Sequence, residues 1–89
     1  MELRGKVAIV TGGGTGIGRA VCLRLANAGA KAVVINYSRS AEDAEATAVE
    51  VRSLGVQALA HRADIADEAM VKAMIVTTVD RFGALRACS

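Results

Sequence analysis

Proline is absent from this chain of 89 residues, and aromatic side chains are limited to Tyr37 and Phe82. So few aromatic rings provide no platform on which the bases of single-stranded nucleic acid would stack. Neither sign of charge predominates, because 11 basic and 9 acidic residues leave a net charge of +2. The basic residues also form no run. The sequence therefore predicts no surface for nucleic acid or for an anionic membrane.

Cysteine and histidine are equally sparse, with Cys22, Cys88 and His61 as the only members. They lack the spacing of a metal site, so we predict no metal and two unrelated, reduced thiols, as is usual in the cytoplasm. No apolar run approaches the roughly 20 residues that span a bilayer, and the first residues carry no apolar signal-peptide core. With 53% hydrophobic residues, we expect a globular, soluble, cytoplasmic domain.

The residues that are present alternate between two patterns. Short apolar runs predict buried strands at Val7 to Val10, Lys31 to Asn36 and Val56 to Ala60. Apolar residues at helical spacing predict helices from Ile17 to Ala28, from Ala41 to Leu54 and from Ala69 to Phe82. The order βαβαβα predicts an α/β fold, namely a partial Rossmann-type, doubly wound parallel sheet with strand order 3-2-1.

Single residues carry more detailed predictions about the helices. Gly29 is placed to end the first helix in a left-handed conformation. Ser40 and Asp67 are placed to cap the second and third helices. The apolar faces are predicted to contain Ile17, Val21, Leu25 and Ala28 in the first helix, Ala44, Ala48, Val51 and Leu54 in the second, and Val71, Met74, Ile75, Thr78 and Phe82 in the third.

Five glycines lie within the seven positions from Gly12 to Gly18, between the first strand and the first helix. The N-terminus of a helix, with its unpaired N–H groups and positive dipole, favours a phosphate when the turn before it carries no side chains. Gly12 would permit the turn, Gly16 would let the backbone approach a pyrophosphate, and Gly18 would let the helix lie close to the strand. Nucleotide binding is therefore favoured over a turn that binds nothing.

A phosphate loop of the GxxxxGK[ST] type fits less well. The glycine spacing is present, but Arg19 stands in place of the lysine and Ala20 in place of the magnesium-binding hydroxyl. The sequence thus argues against a P-loop nucleotide hydrolase.

Residues 11–18, TGGGTGIG, resemble the TGxxxGIG motif of the short-chain dehydrogenase/reductase family. The segments LRGKVAIV, NYSRS, ADI and VDRFG are similar to that family too, so that the resemblance runs from residue 3 to residue 83. It implies a dinucleotide-dependent oxidoreductase that exchanges hydride with a carbonyl or alcohol, of the 3-oxoacyl-acyl-carrier-protein reductase or glucose dehydrogenase type.

The resemblance also implies roles for individual residues. Gly12, Gly16, Ile17 and Gly18 would hold the pyrophosphate and the adjoining ribose, Asp64 would accept a hydrogen bond from the adenine amino group, and Ile65 would lie beside the ring. An alternative for Asp64 is a loop carboxylate that caps the third helix. The full predicted cofactor-binding set is Gly12, Gly14, Thr15, Gly16, Ile17, Gly18, Tyr37, Ser38, Arg39, Asp64 and Ile65.

The segment after the second strand bears on the choice between NAD and NADP. NAD-binding folds place an acid there to bind the ribose 2′-hydroxyl, whereas this chain has Tyr37, Ser38 and Arg39 and no acid before Glu42. A serine and an arginine would attract a 2′-phosphate. NADP is therefore predicted over NAD. The alternative is that Arg39 is only a solvated turn residue. Thr15 argues against NADP, because many NADP-dependent relatives carry a basic residue at this position.

The resemblance implies a later NNAG strand end, a catalytic serine and a YxxxK pair, none of which this sequence contains. No catalytic residue is therefore nominated. Residues 1–83 are expected to form a dinucleotide-binding half-domain that is truncated and inactive alone, and residues 84–89 an unmatched tail. The alternative is a non-catalytic dinucleotide-binding or dimerising module. Without a fourth strand, the first strand would be an open edge through which the chain self-associates.

Overall fold

A computed structural model of the chain describes residues 5–12, 16–83 and 86–88, the last three by their backbone alone. The elements are β1 (Val7–Thr11), α1 (Gly16–Asn27), β2 (Ala32–Tyr37), α2 (Ala41–Ser53), β3 (Gln57–Arg62), α3 (Glu68–Phe82) and β4 (Arg86–Cys88). The three predicted strands and three predicted helices are all present, and no end is displaced by more than two residues.

The sheet is parallel and has the order β3-β2-β1-β4, which confirms the predicted order of the first three strands. Val7 pairs with Ala32 at the start of the β1–β2 ladder, and Thr11 pairs with Asn36 at its end. In the next ladder, β2 pairs with β3 from Ala32↔Gln57 to Tyr37↔Arg62. This register brings the carboxyl ends of β1, β2 and β3 to one edge of the sheet.

The prediction that β1 is an open edge is wrong. β4 pairs with β1 in parallel, with the register Ala8↔Arg86, Ile9↔Ala87 and Val10↔Cys88. The physical reason is that a ladder is made by backbone N–H and C=O groups, so three extended residues can pair with a strand without any characteristic side-chain pattern. The segment predicted as an unmatched tail therefore contains a strand.

The strands β1 and β2 are buried on both faces, which explains why their sequences are continuously apolar. One face lies against α1 and α2, and the other lies against α3. The first layer contains Ala8, Val10, Val33 and Ile35 of the sheet with Cys22, Leu25, Ala26, Ala44, Ala48 and Val51 of the helices. The second contains Val7, Ile9, Ala32 and Val34 with Ala63, Met74 and Phe82.

The predicted apolar faces of the helices are only partly correct. In α1, Leu25 is buried, but Ile17 is 85% exposed. The buried face instead runs through Cys22, Leu25 and Ala26, because α1 meets the sheet only after its first turn. Leu54 is exposed because α2 ends one residue before it, and Ile75 turns partly away from the buried face of α3.

The helix ends show which polar residues act as caps. Gly29 has φ +95°, and the N–H groups of Gly29 and Ala30 donate to the carbonyls of Ala26 and Leu25, which confirms the predicted left-handed end. Asp67 is confirmed as the cap of α3, since its Oδ1 accepts from the N–H groups of Ala69 and Met70 at 3.0 and 3.3 Å. Ser40 occupies the corresponding position of α2 but makes no side-chain cap hydrogen bond.

This difference between the two caps predicts unequal costs of removing them. Asp67→Ala should lower the free energy of unfolding by about 1 kcal/mol, because the first N–H groups of α3 lose their acceptor. The matched variant Ser40→Ala should change it by only a few tenths of that amount, about 0.3 kcal/mol, since no such bond is lost. Urea unfolding followed by circular dichroism measures both, and equal losses would contradict the assignment of the caps.

Candidate functional site

A cavity of about 160 Å³ opens at the carboxyl ends of β1, β2 and β3. Its walls come from residues at the ends of these strands or just after them, because the parallel register brings the three ends together. The lining residues are Gly12, Asn36, Tyr37, Ser38, Ala63, Asp64 and Ile65. Five members of the predicted cofactor-binding set therefore share one cavity, although they are up to 53 positions apart in the sequence.

The turn from β1 into α1 is bounded by two glycines in the left-handed region, Gly12 with φ +63° and Gly16 with φ +55°. Other residues adopt this conformation only with strain. A Cβ built at Gly16 would meet no atom of the described residues within 4 Å, so that among these residues nothing covers its backbone. The predicted site residues Gly14 and Thr15 lie outside the described part of the chain.

The start of α1 differs in charge from the starts of the other two helices. The first turn of α1 contains no acidic residue, whereas α2 begins with Glu42 and Asp43 and α3 with Glu68. Carboxylates in a first turn offset the positive end of the helix dipole, and their absence leaves that end available to an external anion. The start of α1 therefore has the electrostatics of a phosphate site.

Arg19, in the second turn of α1, has a partner within the chain. Its Nε and Nη2 donate to the two carboxylate oxygens of Glu50 in α2, at 2.9 and 2.5 Å. The two side chains are partly exposed, so the pair contributes little to stability. Its consequence at the site is that the charge of Arg19 is already neutralised, and the attraction for an anion comes from the backbone of α1.

Two large apolar side chains are exposed beside the cavity and the turn. Ile17 in the first turn of α1 is 85% exposed, and Ile65 at the cavity wall is 64% exposed. Neither side chain belongs to the two core layers. Exposed apolar side chains near a polar site are suited to covering the flat and apolar parts of a ligand.

Asp64 is exposed and holds the turn between β3 and α3. Its Oδ1 accepts from the N–H of Ala66 at 2.9 Å, and its carbonyl accepts from the N–H of Asp67 at 2.9 Å. Asp67, rather than Asp64, caps α3, so the alternative of Asp64 as the helix cap does not hold. Its role towards an adenine stays a prediction.

The segment after β2 contains the residues predicted to choose between the two dinucleotides. Tyr37 is half-buried as the last residue of β2, while Ser38 and Arg39 are exposed after it. Ser38 lines the cavity and Arg39 does not. The next acids along the chain are in the first turn of α2, where they stabilise that helix.

Asn36 is a site residue that the sequence reasoning missed. It is only 3% exposed, and its Nδ2 donates to the carbonyl of Ala63 at 2.9 Å. The N–H of Ala63 donates in turn to the carbonyl of Tyr37 at 2.9 Å. These two bonds fix the end of β3 against the end of β2. The available signal was a single amide at the end of an otherwise apolar strand.

The remaining titratable candidates, Cys22 and His61, do not line this cavity. Burial raises the pKa of the Cys22 thiol to about 11, which makes it a poor nucleophile. His61 lies in β3, and its buried Nδ1 has no hydrogen-bond partner among the described residues. Within residues 5–12 and 16–83, no three histidine, cysteine or acidic side chains are grouped as a metal site would require.

Removing the Asn36 amide is predicted to loosen one wall of the cavity. Asn36→Ala should lower the free energy of unfolding by about 1 to 3 kcal/mol, because the carbonyl of Ala63 is left buried without its donor. Amide hydrogen exchange at Asp64 and Ile65 should be faster in the variant. Thr47→Ala, a change of another buried polar residue in α2, is the control, and unchanged exchange at the cavity wall would contradict the role assigned to Asn36.

Comparison with known proteins gives a consistent set of relatives. The family model described as short chain dehydrogenase matches residues 6–87. The short-chain dehydrogenase/reductase homolog YusS of Bacillus subtilis is 45% identical over 93% of this chain and 75% of its own length. The 3-oxoacyl-acyl-carrier-protein reductase FabG of Staphylococcus aureus is 46% identical over 90% of this chain and 32% of its own length.

Solved structures show the same fold. A short chain dehydrogenase from Burkholderia cenocepacia, solved in complex with NADP, superposes with a TM-score of 0.88 at 44% identity, covering 96% of this chain and 34% of that one. The chain thus spans about a third of FabG and of this structure, and three quarters of YusS.

Among the described residues, no helix has the length and apolar character to cross a membrane.

Proposed function

The chain belongs to the short-chain dehydrogenase family, whose model matches residues 6–87, and we propose that it forms the NADP(H)-binding portion of an oxidoreductase that exchanges hydride with a carbonyl or alcohol. The observation that carries this proposal is the cavity at the ends of β1, β2 and β3, together with a helix start that lacks acids. A dinucleotide needs both features, a phosphate site and a cleft for its adenosine.

The residues present fit such a cofactor. The open backbone at Gly16 and the start of α1 would take the pyrophosphate, because unpaired N–H groups and the helix dipole favour it there. Asp64 and Ile65 would take the adenine end, since a carboxylate accepts a hydrogen bond and an exposed isoleucine covers a ring face. When bound, the nicotinamide would supply the hydride, and the residues of this chain would hold the pyrophosphate and the adenosine half of the cofactor.

The preference for NADP is proposed from the end of β2. Ser38 lines the cavity and Arg39 is exposed next to it, so a hydroxyl and a guanidinium are available to a 2′-phosphate. A carboxylate in this segment would repel that phosphate, and the segment contains none before α2. The NADP bound to the Burkholderia cenocepacia dehydrogenase supports the same preference.

The proposal assigns binding, rather than turnover, to these 89 residues. Reduction of a carbonyl requires a proton donor, and the single tyrosine, Tyr37, lies at the end of β2 and is followed four positions later by Ala41 instead of lysine. The side chains around the cavity hold the adenosine half in this proposal. We therefore expect that the chain alone does not catalyse reduction of a carbonyl by NADPH.

A second candidate is a non-catalytic dinucleotide-binding module. It is favoured by the pairing of β4 with β1, which gives a four-stranded sheet within 89 residues, and by the short YusS homolog, of which the chain covers 75%. Self-association through the edge of β1 is not part of this candidate, because β4 occupies that edge. Both candidates predict that the purified chain binds NADPH without oxidising it in the presence of a ketone, and oxidation above background would contradict both.

Binding at the glycine turn is tested with two matched variants. Gly16→Ala and Gly29→Ala each add one Cβ at positive φ, and in both cases no atom from residues 5–12 or 16–83 lies within 4 Å of it. Both should be destabilised by strain, but only Gly16→Ala should weaken NADPH binding, at least about tenfold, or about 1.4 kcal/mol. Isothermal titration calorimetry, at a temperature where both variants are folded, measures the affinities. Equal affinities in the two variants would contradict a phosphate site at Gly16.

The cofactor preference is tested by removing one guanidinium. Arg39→Ala should weaken NADPH binding about tenfold and leave NADH binding unchanged, because only NADPH offers the 2′-phosphate. Arg24→Ala, which removes an exposed arginine from the last turn of α1, is the control and should change neither affinity. Equal losses of affinity for NADPH and NADH would show that Arg39 does not bind the 2′-phosphate.

A further inference from the structure

The outward side of α3 carries apolar residues that the core does not use. Ile75, Val76 and Val79 are 38%, 53% and 43% exposed, and they are three of the seven large hydrophobic side chains exposed among the described residues. With Lys72 and Asp80 they follow the spacing i, i+3, i+4, i+7 and i+8. We call these five residues the outer stripe of α3, since the spacing aligns them along one side of the helix.

The packing among the described residues does not use this apolar side. α3 covers the sheet with Met74, Thr78 and Phe82, which are buried on its other side. A solvent-facing stripe favours charged residues and strong helix formers, whereas valine and isoleucine are weaker helix formers. An amphipathic helix with apolar residues on both sides fits between two packed surfaces, of which the sheet is one.

We propose that the outer stripe binds the outer stripe of a second copy of this chain, with the two helices antiparallel across a two-fold axis at Val76. Lys72 and Asp80 lie four residues before and four residues after Val76. In this arrangement each Lys72 faces Asp80 of the second copy, and Val79 faces the small, exposed Ala73. A two-fold interface requires such self-complementarity.

Charge selects both the partner and the orientation. Neither Lys72 nor Asp80 has an ion-pair partner within the described part of the chain, where the recorded pair is Arg19 with Glu50. A parallel arrangement would place lysine on lysine and aspartate on aspartate, whereas the antiparallel one forms two opposite-charge contacts. The antiparallel arrangement also opposes the two helix dipoles.

The surface beside the stripe is concave. A groove of about 600 Å³ runs along this flank of α3, lined by Ile65, Glu68, Ala69, Val71, Lys72 and Ile75. It continues the apolar surface from Ile75 towards Ile65 and provides room for the side chains of an incoming helix. An interface built on one helix pair is small, so we expect a weak dimer rather than an obligate one.

Charge reversal tests the proposal on the whole chain. Lys72→Glu and Asp80→Lys should each weaken the dimer at least about tenfold, because two attractive contacts become repulsive. Mixing the two variants should restore association, since each lysine then meets an acid of the other variant. The double variant, with both substitutions in one chain, should also dimerise. Glu45→Lys, an exposed charge reversal on α2, should have no effect.

Sedimentation velocity at about 10 to 500 μM, a range in which weak association is measurable, gives the dissociation constants. Circular dichroism verifies that each variant is folded, and recovery in the mixture separates lost association from lost folding. A wild-type chain that is monomeric throughout this range would overturn the proposal. A dimer that withstands both single reversals would place the interface on another surface and would overturn it as well.

Discussion

The parallel alignment of β1, β2 and β3 is the constraint on which the candidate site depends. Ladder hydrogen bonds in a fixed register bring Thr11, Asn36 and His61 to neighbouring positions in adjacent strands. Residues that follow these positions then lie together, however far apart they are in the sequence. The register itself is maintained by burial, because β1 and β2 have apolar side chains on both faces and a slip would misplace both layers.

Much of this arrangement could be predicted from the sequence because it depends on composition and order. Short β-branched runs alternating with helical periods specify a parallel sheet, and glycines between the first strand and helix specify a tight turn. Asp67 was predictable as a cap because it immediately precedes the third helix. Ser40 has the same sequence context but makes no side-chain bond, since capping depends on the local backbone and rotamer, which a residue type does not determine.

Other features depend on tertiary contacts that no local pattern encodes. The buried face of α1 could not be located from its apolar residues alone, because the helix meets the sheet only after its first turn and leaves Ile17 exposed. The pairing of β4 rests on backbone groups, to which the side chains of residues 86–88 give no guide. Asn36 was missed for a related reason. Its amide donates a hydrogen bond to the carbonyl of Ala63, which is 27 residues away in the sequence and comes near only in the folded chain.

The pairing of Arg19 with Glu50 has a consequence for ligand discrimination. Because Glu50 offsets the charge of that guanidinium, an anion at the start of α1 would be bound mainly by backbone N–H groups, which donate equally well to sulfate, inorganic phosphate or a pyrophosphate. In the proposed function, affinity would then come mainly from the start of α1, and selectivity from Ser38, Arg39 and Asp64 at the other end of the bound dinucleotide. Simple oxyanions in a buffer would then act as competitors of any nucleotide, whatever its base.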